Sequence, residues 1–193
     1  MNIALISGTS GLIGMQLLHQ LLKSNSFDYI ISVGRRTLAL KDPKLIQISG
    51  DLSKIQEWDW QNEINSQSLG GEYQELVKAI ENENCEISAF CSLGTTIKNA
   101  GSKERFFEID HDLVIGFANW AKSLGAKSFH YVSATGADAD SSIFYNKVKG
   151  QTELDLQKIG FDRLKIYQPS LLLGNRSEFR FGEQVATILM KPL

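Results

Sequence analysis

The chain has 193 residues, of which 42% are apolar and 22% charged, and its formal net charge is −2. That length suits one domain burying roughly 70% of the surface its unfolded chain would expose. The faint acidity and the lack of any single-sign charge block exclude a general affinity for nucleic acid or anionic membrane.

The amino terminus, Met1-Asn2-Ile3-Ala4-Leu5-Ile6, lacks the basic start and long apolar stretch of a signal peptide. No run approaches the roughly 18 apolar residues that span a bilayer. Cys85 and Cys91 form no C-x-x-C unit, so reduced thiols in a core are expected, and with them a cytoplasmic protein.

In chain order, short apolar runs predict strands at 3–7, 29–33, 45–49, 87–92, 128–133 and 163–168. Helical spacing falls at 12–24, 73–82, 104–124 and 144–159. The third of these is the clearest, because Phe106, Ile109, Leu113, Phe117, Ala121 and Leu124 recur every three or four residues. Alternation of this kind implies right-handed βαβ units, hence a doubly wound parallel sheet with helices on both faces. The polar stretch 51–71, with Trp58, Trp60 and Gly70-Gly71, reads as an irregular excursion within one domain covering 1–193. A short substrate-side part is expected from about 169 onward.

The first strand runs into Gly8-x-x-Gly11-x-x-Gly14, with Ser7, Thr9 and Ser10 interleaved, and then into an amphipathic helix. A tight strand-to-helix turn needs glycines so that backbone amides can approach a pyrophosphate, and the helix start adds its positive dipole end. In this context the triplet predicts a nucleotide site. After the second strand the chain reads Gly34-Arg35-Arg36, with no carboxylate to bind a ribose 2′-hydroxyl. Two guanidinium groups suit a 2′-phosphate instead, so NADP(H) is the expected cofactor. Gly50-Asp51-Leu52 follows the third strand, where an acidic turn commonly meets adenine. Cys91-Ser92-Leu93-Gly94-Thr95-Thr96 ends the fourth strand, at the carboxyl edge where open α/β sheets bind ligands.

Ser133 ends the fifth strand twelve residues before Tyr145, and Lys149 follows one helical turn later. A hydroxyl could polarise a carbonyl oxygen while a tyrosine exchanges its proton. An ammonium ~4 Å from a phenol is worth about 4 kcal/mol at an effective dielectric of 20, enough to bring such a tyrosine toward neutral-pH chemistry. His19, His111 and His130 lack ligand partners at a usual spacing, so no metal is expected.

Together, the G-x-x-G-x-x-G turn, Ser133 and Tyr145-x-x-x-Lys149 resemble the short-chain dehydrogenase/reductase superfamily, from residue 2 to the last residues. "CSLGTT", "FFEIDHDLV", "SATGAD" with "SSIFYNKVKG", and "FDRLKIYQPSLLLGNR" narrow the likeness to its atypical Tat-interacting-protein branch. The resemblance implies a Rossmann domain and a Ser133–Tyr145–Lys149 centre. It also implies cofactor contacts from Gly8, Thr9, Ser10, Gly11, Leu12, Ile13 and Gly14, from Arg35, Arg36, Asp51 and Leu52, and from Leu93, Gly94, Thr95, Tyr145, Lys149 and Pro169. Where many members carry a helix asparagine that relays protons, this chain has Asp110, and relatives usually continue past Leu193.

The leading expectation is NADPH-dependent reduction of a small carbonyl compound, or oxidation of the matching alcohol. The alternatives are an NADPH-binding regulatory or scaffold protein and a nucleotide-sugar epimerase or dehydratase; the last would need a larger lobe after Pro169. A homodimer or a protein partner is compatible with all three. The 171–176 region is largely apolar and suggests a small substrate.

Overall fold

A computed structural model describes residues 1–67 and 73–170. Six strands form one parallel sheet: β1 (Asn2–Ser7), β2 (Tyr29–Gly34), β3 (Leu45–Ser49), β4 (Glu86–Cys91), β5 (Ser128–Val132) and β6 (Arg163–Tyr167). Their order is β3-β2-β1-β4-β5-β6, so the winding reverses between β1 and β4. This is the topological switch point of an open α/β sheet, where ligands bind beyond the strand ends. The register sets Ser7 opposite Cys91, bringing the ends of β1 and β4 level.

Period-two alternation explains why β1 is apolar throughout. Ile3 and Leu5 join the core on one face, while Ala4 and Ile6 join a smaller core on the other. Helix α1 (Leu12–Lys23) covers the smaller face through Leu18 and Leu21. The larger face carries α3 (Gln74–Glu81), α6 (Leu113–Ser123) and α7 (Phe144–Lys158), which contribute Leu76, Phe117 and Leu156 to its core. The expected doubly wound sheet with helices on both faces is the architecture found.

Two expectations need correction. The stretch 51–67 is regular: a 3₁₀ turn (Leu52–Glu57) precedes α2 (Trp60–Ser66), capped by Asp51 and Asp59 respectively. Its apolar residues were too sparse for periodicity, yet Leu52, Ile55 and Ile64 are buried and both tryptophans pack on the core. Gly70 and Gly71 lie outside the described residues. The predicted helix over 104–124 is also interrupted. After the short α4 (Ile97–Ala100), α5 (Lys103–Phe107) passes into a π-helical turn at Glu108–Asp112 and only then into α6. Such wide turns insert one residue into the helical ladder and often occur at functional sites.

Among the described residues no helix is long and apolar enough to cross a membrane. Cys91 is buried and Cys85 half-buried, and neither is in a disulfide. The segment 171–176 and the rest of the expected substrate-side part lie outside the described residues.

Candidate active site

The glycine turn is shaped by close backbone approach. Gly8 has φ +90°, and a Cβ there would stand 2.6 Å from both the Ser92 carbonyl carbon and its Oγ. A Cβ on Gly14 would stand 2.1 Å from the Gly8 carbonyl oxygen. Only glycine lets β1, the start of α1 and the end of β4 meet this tightly. Ser92 Oγ donates to the carbonyls of Ser7 (3.2 Å) and Gly8 (3.4 Å), tying the β4 end to the turn. Thr9 is buried, with its hydroxyl 3.0 Å from that of Ser32, while Ser10 is exposed.

Gly11 is the N-cap of α1, and no side chain caps that end. The first-turn amides, including those of Leu12 and Ile13, therefore face outward with the positive end of a twelve-residue helix. This arrangement fits a bound phosphate, and its neighbours fit a nucleotide. Arg35 and Arg36 are exposed just past β2, and among the described residues neither makes an ion pair. Asp51 is exposed but engaged: its carboxylate accepts from the Ser53 amide (3.0 Å) and hydroxyl (2.8 Å). These bonds hold it below the ordinary aspartate range. The Leu52 side chain belongs to the core. Leu93 packs partly on the same core and Gly94 is exposed. The half-buried Pro169 accepts the Thr135 amide on its carbonyl at 3.4 Å.

Tyr145 and Lys149 lie one turn apart near the start of α7, as their spacing predicts. Tyr145 is half-buried, its ring 5.8 Å from that of the buried Phe106. Lys149 is 1% exposed, and its Nζ sits 2.8 Å from Asp110 Oδ1 and 3.0 Å from the Tyr131 hydroxyl. Burial alone would drive the ammonium toward neutrality. The facing oxygens of Tyr131 and Asp110 outweigh it, so Lys149 is held above the usual lysine range. Burial in turn pushes the Tyr131 phenol up to about 12. Just after Lys149, a Cβ on Gly150 would lie 2.2 Å from the Ala139 amide nitrogen, so glycine lets the β5–α7 loop cross the helix here.

Ser133 is engaged with a third residue of α7. It is fully buried just past β5, and its hydroxyl donates to Glu153. Glu153 in turn accepts from Gln168 Nε2 at 2.9 and 3.0 Å. Helix α7 thus holds Tyr145 and Lys149 one turn apart and, one turn further along, the residue that accepts from Ser133. Asp110 was legible only as a departure from the usual asparagine. It occupies the π-turn, is fully buried, and accepts the Thr95 amide on Oδ2 at 2.7 Å.

The histidines are engaged elsewhere or on the surface. His19 is exposed, and His111 lies 2.7 Å from Asp112 Oδ1 and 2.9 Å from Asp155 Oδ2. His130 stacks on Phe90 with ring centroids 4.7 Å apart. Among the described residues no three histidine, cysteine, aspartate or glutamate side chains form a group that could hold a metal.

A reversed-order parallel sheet with a glycine turn at its switch point defines the NAD(P)-binding Rossmann fold. More particularly, the chain belongs to the family of protein HTATIP2 and protein FMP52. It is 33% identical over 181 residues to rat (Rattus norvegicus) HTATIP2, covering 94% of this chain and 67% of that one. It is 34% identical over 191 residues to mitochondrial FMP52 of Eremothecium gossypii, covering 97% and 75%. No protein-family model matches the chain. The fold is also that of UDP-glucose 4-epimerase from Thermotoga maritima (TM-score 0.58, 14% identity), with 87% of this chain matched to 55% of that one. It likewise matches the Bordetella bronchiseptica enzyme WbmH, solved with NAD+ (TM-score 0.59, 15% identity; 86% and 56%). The chain thus spans just over half the length of these solved enzymes. The cytoplasmic expectation is corrected by the relatives, since the FMP52 proteins of several fungi are mitochondrial by name.

Proposed function

We propose that this protein is a nicotinamide-nucleotide-dependent oxidoreductase that prefers NADP(H) and acts on a small carbonyl or alcohol substrate. The carrying observation is a lysine held charged in a buried site one helical turn from Tyr145, in the same domain as an uncapped glycine turn. In this reading the turn and first-helix amides left free, such as those of Leu12 and Ile13, hold the pyrophosphate, and Arg35 and Arg36 hold the 2′-phosphate. Asp51 and the Leu52 backbone border the adenine end, while Leu93, Gly94, Thr95 and Pro169 border the nicotinamide end. The bound cofactor supplies or accepts the hydride. Tyr145 moves the proton at the substrate oxygen, and Lys149 provides the positive charge beside it. Ser133 would polarise that oxygen once it releases Glu153. A mitochondrial setting, as named for the FMP52 relatives, belongs to the same reading.

A titration of the purified protein with NADPH and with NADH, followed by cofactor fluorescence, tests this. NADPH-selective binding that weakens in Arg35→Ala is the expected result, with Tyr145→Phe abolishing any turnover found on carbonyl probes. Binding of neither cofactor would refute it. One observation favours a second reading, an NADPH-responsive regulatory protein with little turnover: Ser133 and Lys149 are both already partnered, by Glu153 and Asp110. Selective NADPH binding that alters association with a protein partner, without oxidation by any carbonyl probe, distinguishes it.

A further inference from the structure

The π-turn at Glu108–Asp112 carries one carboxylate, that of Asp110, on the buried side of the helix. Asp110 is 0% exposed, so its charge needs compensation on the spot. Oδ2 accepts the Thr95 amide at 2.7 Å, while Oδ1 has no hydrogen-bond partner and faces Lys149 Nζ at 2.8 Å as an ion pair. The Asp110 carbonyl also accepts from Thr152 Oγ1 at 3.0 Å, pinning the π-turn to α7. The loop carrying Thr95 begins at Ser92, which is bonded to Ser7 and Gly8. Short polar contacts at both ends of the loop after β4, joined by its backbone from Ser92 to Thr95, therefore link the glycine turn to Asp110 and then to Lys149.

We infer that Asp110 is the positioning residue of this centre: it keeps Lys149 charged and in place within a dry site, and locks the loop after β4 to it. This deepens the oxidoreductase reading and rests on it for the cofactor, though not for the lysine. The titratable groups facing Lys149 are Asp110 from the π-turn, Tyr131 from β5, Cys91 from β4 and Tyr145 from its own helix. Burial pushes the Cys91 thiol and the Tyr131 phenol each up to about 12, so both are uncharged near neutral pH. Among the described groups Asp110 is thus the one carboxylate opposing the desolvation of Lys149.

The experiment is NMR titration of the Lys149 side chain in the cofactor-free protein, assigned with Lys149→Met, beside NADPH fluorescence titrations at pH 6 and 9. In the wild-type protein Lys149 keeps its proton across that range and NADPH affinity changes little through it. In Asp110→Asn the lysine faces burial without its carboxylate. Its midpoint is expected at least 100-fold lower in proton affinity, with NADPH binding about tenfold weaker at pH 9 than at pH 6. An unchanged lysine midpoint in Asp110→Asn would overturn the inference. Should that variant not fold, Asp110→Asn with Lys149→Met carries no buried charge; NADPH binding about tenfold weaker than wild type yet flat with pH supports the inference, and wild-type affinity refutes it. If the wild-type protein binds no NADPH, the cofactor reading fails while the lysine titration still decides the role of Asp110.

Discussion

Replacing Gly14 by alanine tests the glycine turn at its tightest point. The added Cβ would lie 2.1 Å from the Gly8 carbonyl oxygen and 2.6 Å from Ser92 Oγ. Neither the oxygen, held in the β1 turn, nor the serine, bonded to two carbonyls, is the free end of a flexible side chain. Relief requires α1 to lift from the sheet by roughly 1 Å, losing packing of Leu18 and Leu21 as well. Overpacking costs about 1–3 kcal/mol when neighbours can adjust, so about 3 kcal/mol or more is expected at this rigid junction. At about 2–4 °C per kcal/mol for a chain of this size, the melting temperature should fall by roughly 6–12 °C. Gly116 in α6 is the internal control, because a Cβ there meets only Ile55 Cγ2 at an ordinary 3.8 Å. Gly116→Ala should stabilise by about 0.5–1 kcal/mol through helix propensity. Thermal unfolding followed by circular dichroism reads both. A Gly14→Ala protein melting within about 2 °C of wild type would refute this account of the β1–α1 junction.

Three further outcomes follow from the burial pattern. Lys149→Met leaves the Asp110 carboxylate buried without its cation and should cost about 3–5 kcal/mol in urea unfolding, most of it restored when Asp110→Asn is added; no rescue would argue that the pair is not coupled. A thiol reagent at pH 8 should modify Cys85 in the native protein and reach Cys91 only after denaturation, because burial pushes the Cys91 thiol up to about 12. Equal rates at both sites would contradict that burial. Burial, with Lys165 and Arg163 nearby, also lowers the pKa of His130. Its neutral native form then contributes stability above the ordinary histidine range near 6.5, lost as pH falls through the lower folded value. Urea unfolding should show a smaller loss between pH 7.5 and 5.5 in His130→Phe than in wild type.

The sheet was legible because most strands are compact apolar runs, the edge strand β6 alternates polar and apolar residues, and the turns carry glycine or polar punctuation. The glycine turn was legible because its spacing sits between a strand and a helix, the context that makes close approach necessary. The stretch 51–67 was not, since its few apolar residues are too far apart to show a period. Nor was the π-turn: widening a helix by one residue changes a hydrogen-bond pattern, not a composition. One signal for it was present. Asp110 stands four residues after Phe106 and three before Leu113, on the face that the apolar residues mark as buried. A carboxylate there predicts a charged partner, and Lys149 was already singled out. The partnership of Ser133 with Glu153 had no such signal, because it depends on how α7 docks beside β5 and β6.

The π-turn also joins two jobs performed by one continuous helix. Upstream of it Phe106 packs beside Phe144 and Tyr145; downstream, Phe117 and Ala121 face the sheet. The wide turn accommodates one extra residue in the helical ladder. Removing one residue between 108 and 112 would let it close into an ordinary α-turn, so α5 and α6 would stay nearly in phase. What would shift is the turn itself, and Lys149 would lose its carboxylate. In this segment length therefore carries information as surely as residue identity does, and a one-residue deletion should do more harm than most substitutions within it.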